Sequence, residues 1–228
     1  IKQFYPNFYD LKSCLFPLIF LFLLIFISLV FTYFHPIPTE ANTGSVGLGS
    51  VSLNIGDRDF YLYDHLIKRD SSSVKPSFLY PLVLRLVTLL VAMFGANETS
   101  EIWNFILIII TSIFSLISLI LIHNIAWELF GDEVAKISAW LFVLCPYTLF
   151  FAISGSLTNY IMIGVTYCYW IIIKSNIFYR FSRSNILISK KDTIITLSFL
   201  CFYLSSLRPT GCIFSIVLLT LVLVFIFF

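Results

Sequence analysis

The chain has 228 residues, of which 59% are hydrophobic and only 11% are charged. A soluble domain carries about 25% charged residues, so this composition and the mean hydropathy of +0.97 exclude an ordinary water-soluble fold and predict lipid as the solvent for much of the surface. The net charge of +2, with no dense basic patch, excludes a nucleic-acid-binding protein.

Five cysteines are distributed along the chain without a CxxC pair. All of them lie in or beside apolar runs. This setting predicts small buried side chains rather than a redox or metal site.

Apolar runs recur along the chain at lengths that approach the roughly 20 residues of a bilayer crossing. The first run is long and lacks a cleavage site of small residues, which predicts a retained helix rather than a signal peptide. In the third run, Pro146 and Tyr147 indicate an extension or a kink. The six runs are 15–34, 102–122, 137–153, 160–173, 193–207 and 212–228.

One further apolar stretch, 80–94, is about 15 residues long and contains Arg85, so its length alone leaves open whether it crosses. The segment 174–191 carries five cations and no acid, and the positive-inside rule assigns it to the cytoplasm together with Lys2 and Lys12. Both segments fall on the same side only if 80–94 does not cross. We therefore expect six crossings, a cytoplasmic segment 1–14 and an interfacial helix at 80–94.

This topology gives a long outer loop, 35–101, on the lumenal or periplasmic side. Its second half, 56–70, reads GDRDFYLYDHLIKRD and holds four acids among aromatic residues. Apolar residues at helical spacing favour a short amphipathic helix on the membrane surface. The alternative is a solvated loop with charge pairs such as Asp64 with Lys68. A carboxylate at a membrane surface is also a candidate general base or metal ligand.

Five motifs occur in an order that is similar to one family. They are Gly56-Asp57-Arg58-Asp59-Phe60-Tyr61-Leu62, Lys75 to Leu82 running on to Phe94-Gly95, Leu129 to Ala135, Leu144-Cys145-Pro146, and Leu207-Arg208-Pro209-Thr210-Gly211. The chain resembles the N-terminal portion of the GT-C glycosyltransferases, in the protein-mannosyltransferase and aminoarabinose-transferase branch. A second similarity is to the GPI mannosyltransferase 2 type. The resemblance covers residues 15–228 and implies a polytopic, all-α transmembrane module.

The resemblance implies transfer of a sugar from a polyprenyl-phosphate donor to a protein, lipid or glycan acceptor on the outer face. It makes Asp57 the candidate base and Asp59 its helper or substitute. Arg208 is the candidate phosphate contact because the guanidinium group suits phosphate geometry; its alternative is contact with lipid headgroups, and Arg85 has the same two roles open. Tyr61 and His65 are candidates for the acceptor side. No cofactor is implied with certainty, and a divalent cation is one candidate.

One position departs from the family pattern. Many relatives carry Glu in the outer loop after the proline helix, whereas this chain has Asn159, which cannot act as a carboxylate. By its place in the pattern Asn159 is still a candidate substrate-binding residue. This leaves open a non-catalytic accessory or structural subunit of a membrane complex. A transporter is a third alternative, although few charges lie in the centres of the apolar runs. Because the sequence opens on Ile1 and stops inside an apolar run at Phe228, we expect a further C-terminal part.

Overall fold

The computed structural model describes residues 11–34, 79–93, 101–153, 157–175, 189–207 and 209–227. Within these ranges every regular element is an α-helix, which confirms the all-α prediction for the described residues. The eight helices are α1 (Leu11–Phe34), α2 (Leu79–Met93), α3 (Glu101–Phe130), α4 (Asp132–Leu144), α5 (Pro146–Ile153), α6 (Leu157–Lys174), α7 (Lys190–Leu207) and α8 (Pro209–Phe227).

Two of the described helices are long and apolar enough to cross a bilayer. These candidate spans are Lys12–Val30 in α1 and Ile108–Phe130 in α3. The helices α4 and α5 meet the same criterion only as a pair, bent by 59° where they join. Membrane character is therefore carried by these helices, and the full set of six crossings stays a prediction.

The bend between α4 and α5 has a local chemical cause. Pro146 has no backbone N–H and restricts the preceding residue, so Cys145 adopts an extended conformation with φ −68° and ψ 117°. Of the two alternatives left open at this proline, an extension or a kink, the structure shows the kink. The stretch expected to be a short helix at 80–94 is helical as α2, whereas its depth in the membrane stays a prediction.

The helix α3 is eight residues longer at its C-terminal end than the apolar run 102–122 indicated. It ends at Gly131, whose φ of 95° is the left-handed conformation that glycine adopts without strain. The extension carries Glu128 into the helical bundle, where a lysine from α6 pairs with it. The apolar run alone could not indicate this because its hydropathy falls at the polar residues after Ile122.

Packing places α3 at the centre of the described bundle, against α1, α2, α4, α5 and α6. Small side chains permit this close arrangement: Ala139 and Ala152 are fully buried together with Leu21 and Leu119. Cys14, Cys168 and Cys201 are buried as predicted. The same prediction was wrong for Cys212, which is exposed at the start of α8.

The outward faces of several helices are apolar. Phe16, Phe22 and Phe26 of α1 are exposed, as are Phe199 and Phe202 of α7. A soluble helix would carry polar residues on that face. This pattern agrees with lipid as the solvent for the outer surface of the helices.

The described helices run so that their charged residues meet at one end. The hydroxyl of Ser13 in α1 lies 2.9 Å from the Nε2 atom of His123 in α3, and Lys174 at the end of α6 pairs with Glu128. Every charged residue whose side chain the structure describes belongs to this region, which we call the charged end. These residues are Lys12, Glu128, Asp132, Glu133, Lys136, Lys174, Lys190, Lys191 and Asp192.

Candidate functional site

Only part of the predicted site falls within the described residues. Asn159 is described with its side chain, and Arg85 lies on α2, of which the structure describes the backbone at that position. The other five candidates lie outside the described residues. They are Asp57, Asp59, Tyr61, His65 and Arg208.

Asn159 lies in the first turn of α6 and is fully buried. The two N–H bonds of its Nδ2 group are shared among three acceptors: the carbonyl oxygen of Phe151 at 2.8 Å, the carbonyl oxygen of Thr111 at 3.1 Å and the Oγ atom of Ser115 at 3.1 Å. Carbonyl oxygens only accept hydrogen bonds, so these contacts require a donor at this position. A carboxylate in the same place would present oxygen to oxygen.

The end of α5 is held by hydroxyl groups from α3. The Oγ1 atom of Thr111 donates to the carbonyl of Ala152 at 2.8 Å, and the Oγ atom of Ser112 donates to the same carbonyl at 3.1 Å. The last four carbonyl groups of a helix have no partner within it, and hydrocarbon cannot supply one. Thr111, Ser112 and Asn159 supply donors to the carbonyls of Phe151 and Ala152. Ser115 accepts a hydrogen bond from Asn159, and we call these four residues the polar lock.

The polar lock lies at the end of the bundle opposite the charged end. Here Val87 of α2 forms a buried cluster with Tyr160 of α6 and Leu207 of α7. The Tyr160 ring packs edge-on against Phe114, with ring centroids 4.9 Å apart, and its backbone carbonyl accepts a 2.9 Å hydrogen bond from the Tyr203 hydroxyl. The start of α6 and the end of α7 therefore meet beside α2.

The charged end carries the ionisable groups with the strongest contacts. Glu128 is 2% exposed and pairs with Lys174. Asp132, outside both candidate spans, is half exposed and lies 2.5 Å from Lys136. The hydrogen bond from Lys136 lowers the pKa of the Asp132 carboxyl group, and Ser13 and the charge of His123 act in the same direction. These contacts join α1, α3, α4 and α6.

The described residues offer little metal chemistry. They contain no group of three or more His, Cys, Asp or Glu side chains that could hold a metal ion. The neutral amide of Asn159 is also a poor proton acceptor compared with a carboxylate.

Several of these residues carried no distinctive sequence signal. Thr111, Ser112 and Ser115 are small polar residues in an apolar run, and their spacing by three and four residues marks one helix face. That spacing was the one sequence signal that could have indicated a shared polar contact of these three residues. The partner of Glu128 lies 46 residues away in the chain, so no local pattern could have identified it.

Comparison with protein-family models, with curated proteins and with solved structures gives no match for this chain. The family resemblance therefore rests on the five motifs of the sequence alone and stays a prediction.

Proposed function

We propose that this protein is a membrane glycosyltransferase that moves a sugar from a polyprenyl-phosphate donor to an acceptor on the outer face of the membrane. The observation that carries the proposal is the meeting of α2, the start of α6 and the end of α7 around Val87, Tyr160 and Leu207. Two of the family-like motifs adjoin these helices in the sequence: Lys75 to Leu82 at the start of α2 and Leu207 to Gly211 at the end of α7. The five lysines whose side chains the structure describes belong to the charged end, and the positive-inside rule associates Lys and Arg with the cytoplasmic side.

The proposed chemistry needs a base and a cation on the same face. Asp57 takes the proton from the acceptor hydroxyl, with Asp59 as its helper. Arg208, the residue after Leu207, stabilises the departing lipid phosphate. Tyr61 and His65 contact the acceptor, and Arg85 on α2 is a second phosphate or headgroup contact. In this proposal the chain crosses the membrane six times and α2 lies along its outer surface.

The proposal is tested by transfer assays on membranes that contain the full chain, with a radiolabelled polyprenyl-phosphate mannose as donor. Asp57→Asn is expected to abolish transfer while insertion and expression are unchanged. Asp70→Asn, in the same loop, is the matched control and is expected to retain activity. Full transfer by Asp57→Asn would contradict the assignment of Asp57 as the base. If the unaltered chain transferred no sugar from this or any other polyprenyl-phosphate donor, the proposed function would be wrong.

A second candidate function is an accessory or structural subunit of a membrane complex. The observation that favours it is the use of Asn159: its amide nitrogen is engaged by three acceptors of the helical bundle, where many of the resembled enzymes carry Glu. Purification as part of a stable complex, with no binding of a polyprenyl-phosphate sugar, would support this second candidate over the first.

A further inference from the structure

One hydrogen-bond acceptor of the polar lock, the Oδ1 atom of Asn159, is fully buried and takes part in none of the bonds described above. The Nδ2 atom of Asn159 donates to three acceptors, whereas the Oδ1 atom of the same amide has no hydrogen-bond partner among the described residues. The side chain is 0% exposed. A buried carbonyl oxygen without a donor is rare in folded proteins, and such an atom indicates a bound group.

A second oxygen in the same region has the same property. The Oγ atom of Ser118 on α3 is fully buried and has no hydrogen-bond partner within the described part of the chain. Ser118 follows Ser115 by three residues, so the two hydroxyl groups are neighbours on one face of α3. Ser115 already accepts a bond from Asn159, and it therefore keeps its own proton to donate.

These three groups match the hydrogen-bonding capacity of one water molecule. We propose that a single water molecule binds between α3 and α6, where it donates to Asn159 Oδ1 and Ser118 Oγ and accepts from the hydroxyl of Ser115. A buried water typically makes about three hydrogen bonds. The site goes beyond the transferase proposal and does not depend on it.

The surroundings favour water over a metal cation. The carbonyl oxygens of Phe151, Ala152 and Thr111 already accept hydrogen bonds from the polar lock. These bonds occupy lone pairs that a cation would otherwise use. All charged side chains that the structure describes lie at the other end of the bundle, so none neutralises a cation here.

The direct test is a density map of the full chain in a lipid nanodisc, at a resolution that shows ordered water. The expected result is one peak at about 2.7–3.2 Å from each of the three oxygen atoms. A map that shows other buried waters but no peak here would overturn the proposal. A peak with five or more oxygen neighbours at shorter distances would overturn it in favour of a cation.

A pair of variants tests the same site by stability. Ser118→Ala removes one partner of the water and leaves two, so we expect a small fall in melting temperature. Ser118→Val occupies the volume of the water and leaves Asn159 Oδ1 without a donor, so we expect a larger fall and loss of the peak. Ser198→Ala and Ser198→Val, at an exposed position of α7, are the matched controls. They give the change in melting temperature that alanine or valine causes in a helix without a water site. Ser118→Val melting at or above Ser118→Ala would indicate a dry void and contradict the proposal.

Discussion

The side-chain amide of Asn159 donates a 2.8 Å hydrogen bond to the backbone carbonyl of Phe151, eight residues earlier in the chain. This bond ties the start of α6 to the last turn of α5 across the connection between them. The hydroxyl groups of Thr111 and Ser112 hold the next carbonyl of the same turn. Side chains therefore satisfy the carbonyl groups at the C-terminal end of the bent pair α4–α5. In a continuous helix, backbone N–H groups of the next turn would bind those carbonyls.

Replacement of Asn159 by leucine is expected to destabilise the protein strongly. Leucine has a similar branched shape but no donor, so acceptors that are now paired lose a partner in an apolar region. Each buried polar group left unpaired costs about 1–3 kcal/mol. Thermal unfolding in detergent measures the effect. Thr220→Val on α8 is the control because Thr220 is exposed and bonds only within its own helix; equal melting temperatures for the two variants would contradict a structural role for the lock.

A structural feature could be predicted from the sequence when the residues that form it are close together along the chain. The kink at Pro146 and the helical nature of 80–94 follow from local chemistry, and the sequence predicted both. The polar lock joins residues more than 40 positions apart, so it depends on which helices become neighbours. The candidates in the outer loop, from Asp57 to His65, lie outside the described residues and stay predictions.

For the buried ion pair of Glu128 and Lys174, we expect replacement of one residue to destabilise the protein more than replacement of both. Removal of one partner, in Glu128→Leu or Lys174→Met, takes the ion pair away from a charge that stays buried, a change that costs about 3–5 kcal/mol in comparable pairs. Replacement of both by apolar residues, in Glu128→Leu with Lys174→Met, removes both charges together. We expect the double variant to unfold at a higher temperature than either single variant.

The exposed pair of Lys136 and Asp132 serves as the control for that cycle. Their side chains are about half exposed, and a surface ion pair of this spacing contributes about 0.3–0.5 kcal/mol. Lys136→Met is therefore expected to change the melting temperature little. Additive effects of the two changes at Glu128 and Lys174 would show that the buried pair is not energetically coupled.

At Gly164 the helices α6 and α7 pack closely. A Cβ atom at this position would lie 2.7 Å from Leu204 Cδ2 and 2.9 Å from Tyr203 Cε1. The Tyr203 ring cannot move away freely because its hydroxyl is bonded to the carbonyl of Tyr160. No sequence pattern indicated this contact, since a glycine in a helix is interpretable only when its neighbour is known.

Gly164→Val is expected to force α6 and α7 apart and to destabilise the protein by about 1–3 kcal/mol, the usual range for overpacking. Thermal unfolding gives the magnitude. Ser198→Val, an equally small-to-large change at an exposed position of α7, corrects for the helix propensity of valine. A melting temperature of Gly164→Val that equals the Ser198→Val value would mean that the two helices do not pack closely at this point.

The last prediction concerns Arg208 and the phosphate of the proposed lipid donor. A guanidinium group binds phosphate through two parallel hydrogen bonds, whereas an ammonium group acts as a point charge. In the transfer assay, Arg208→Ala is therefore expected to lower kcat/KM by about 100-fold or more, as the loss of one group that stabilises a transition state does. Arg208→Lys should give an intermediate value because it keeps the charge but not the paired geometry. Arg180→Ala, in the segment assigned to the cytoplasm, is the control and should leave kcat/KM unchanged. If Arg208→Ala retained full kcat/KM, the arginine would belong to the lipid headgroups and not to the reaction.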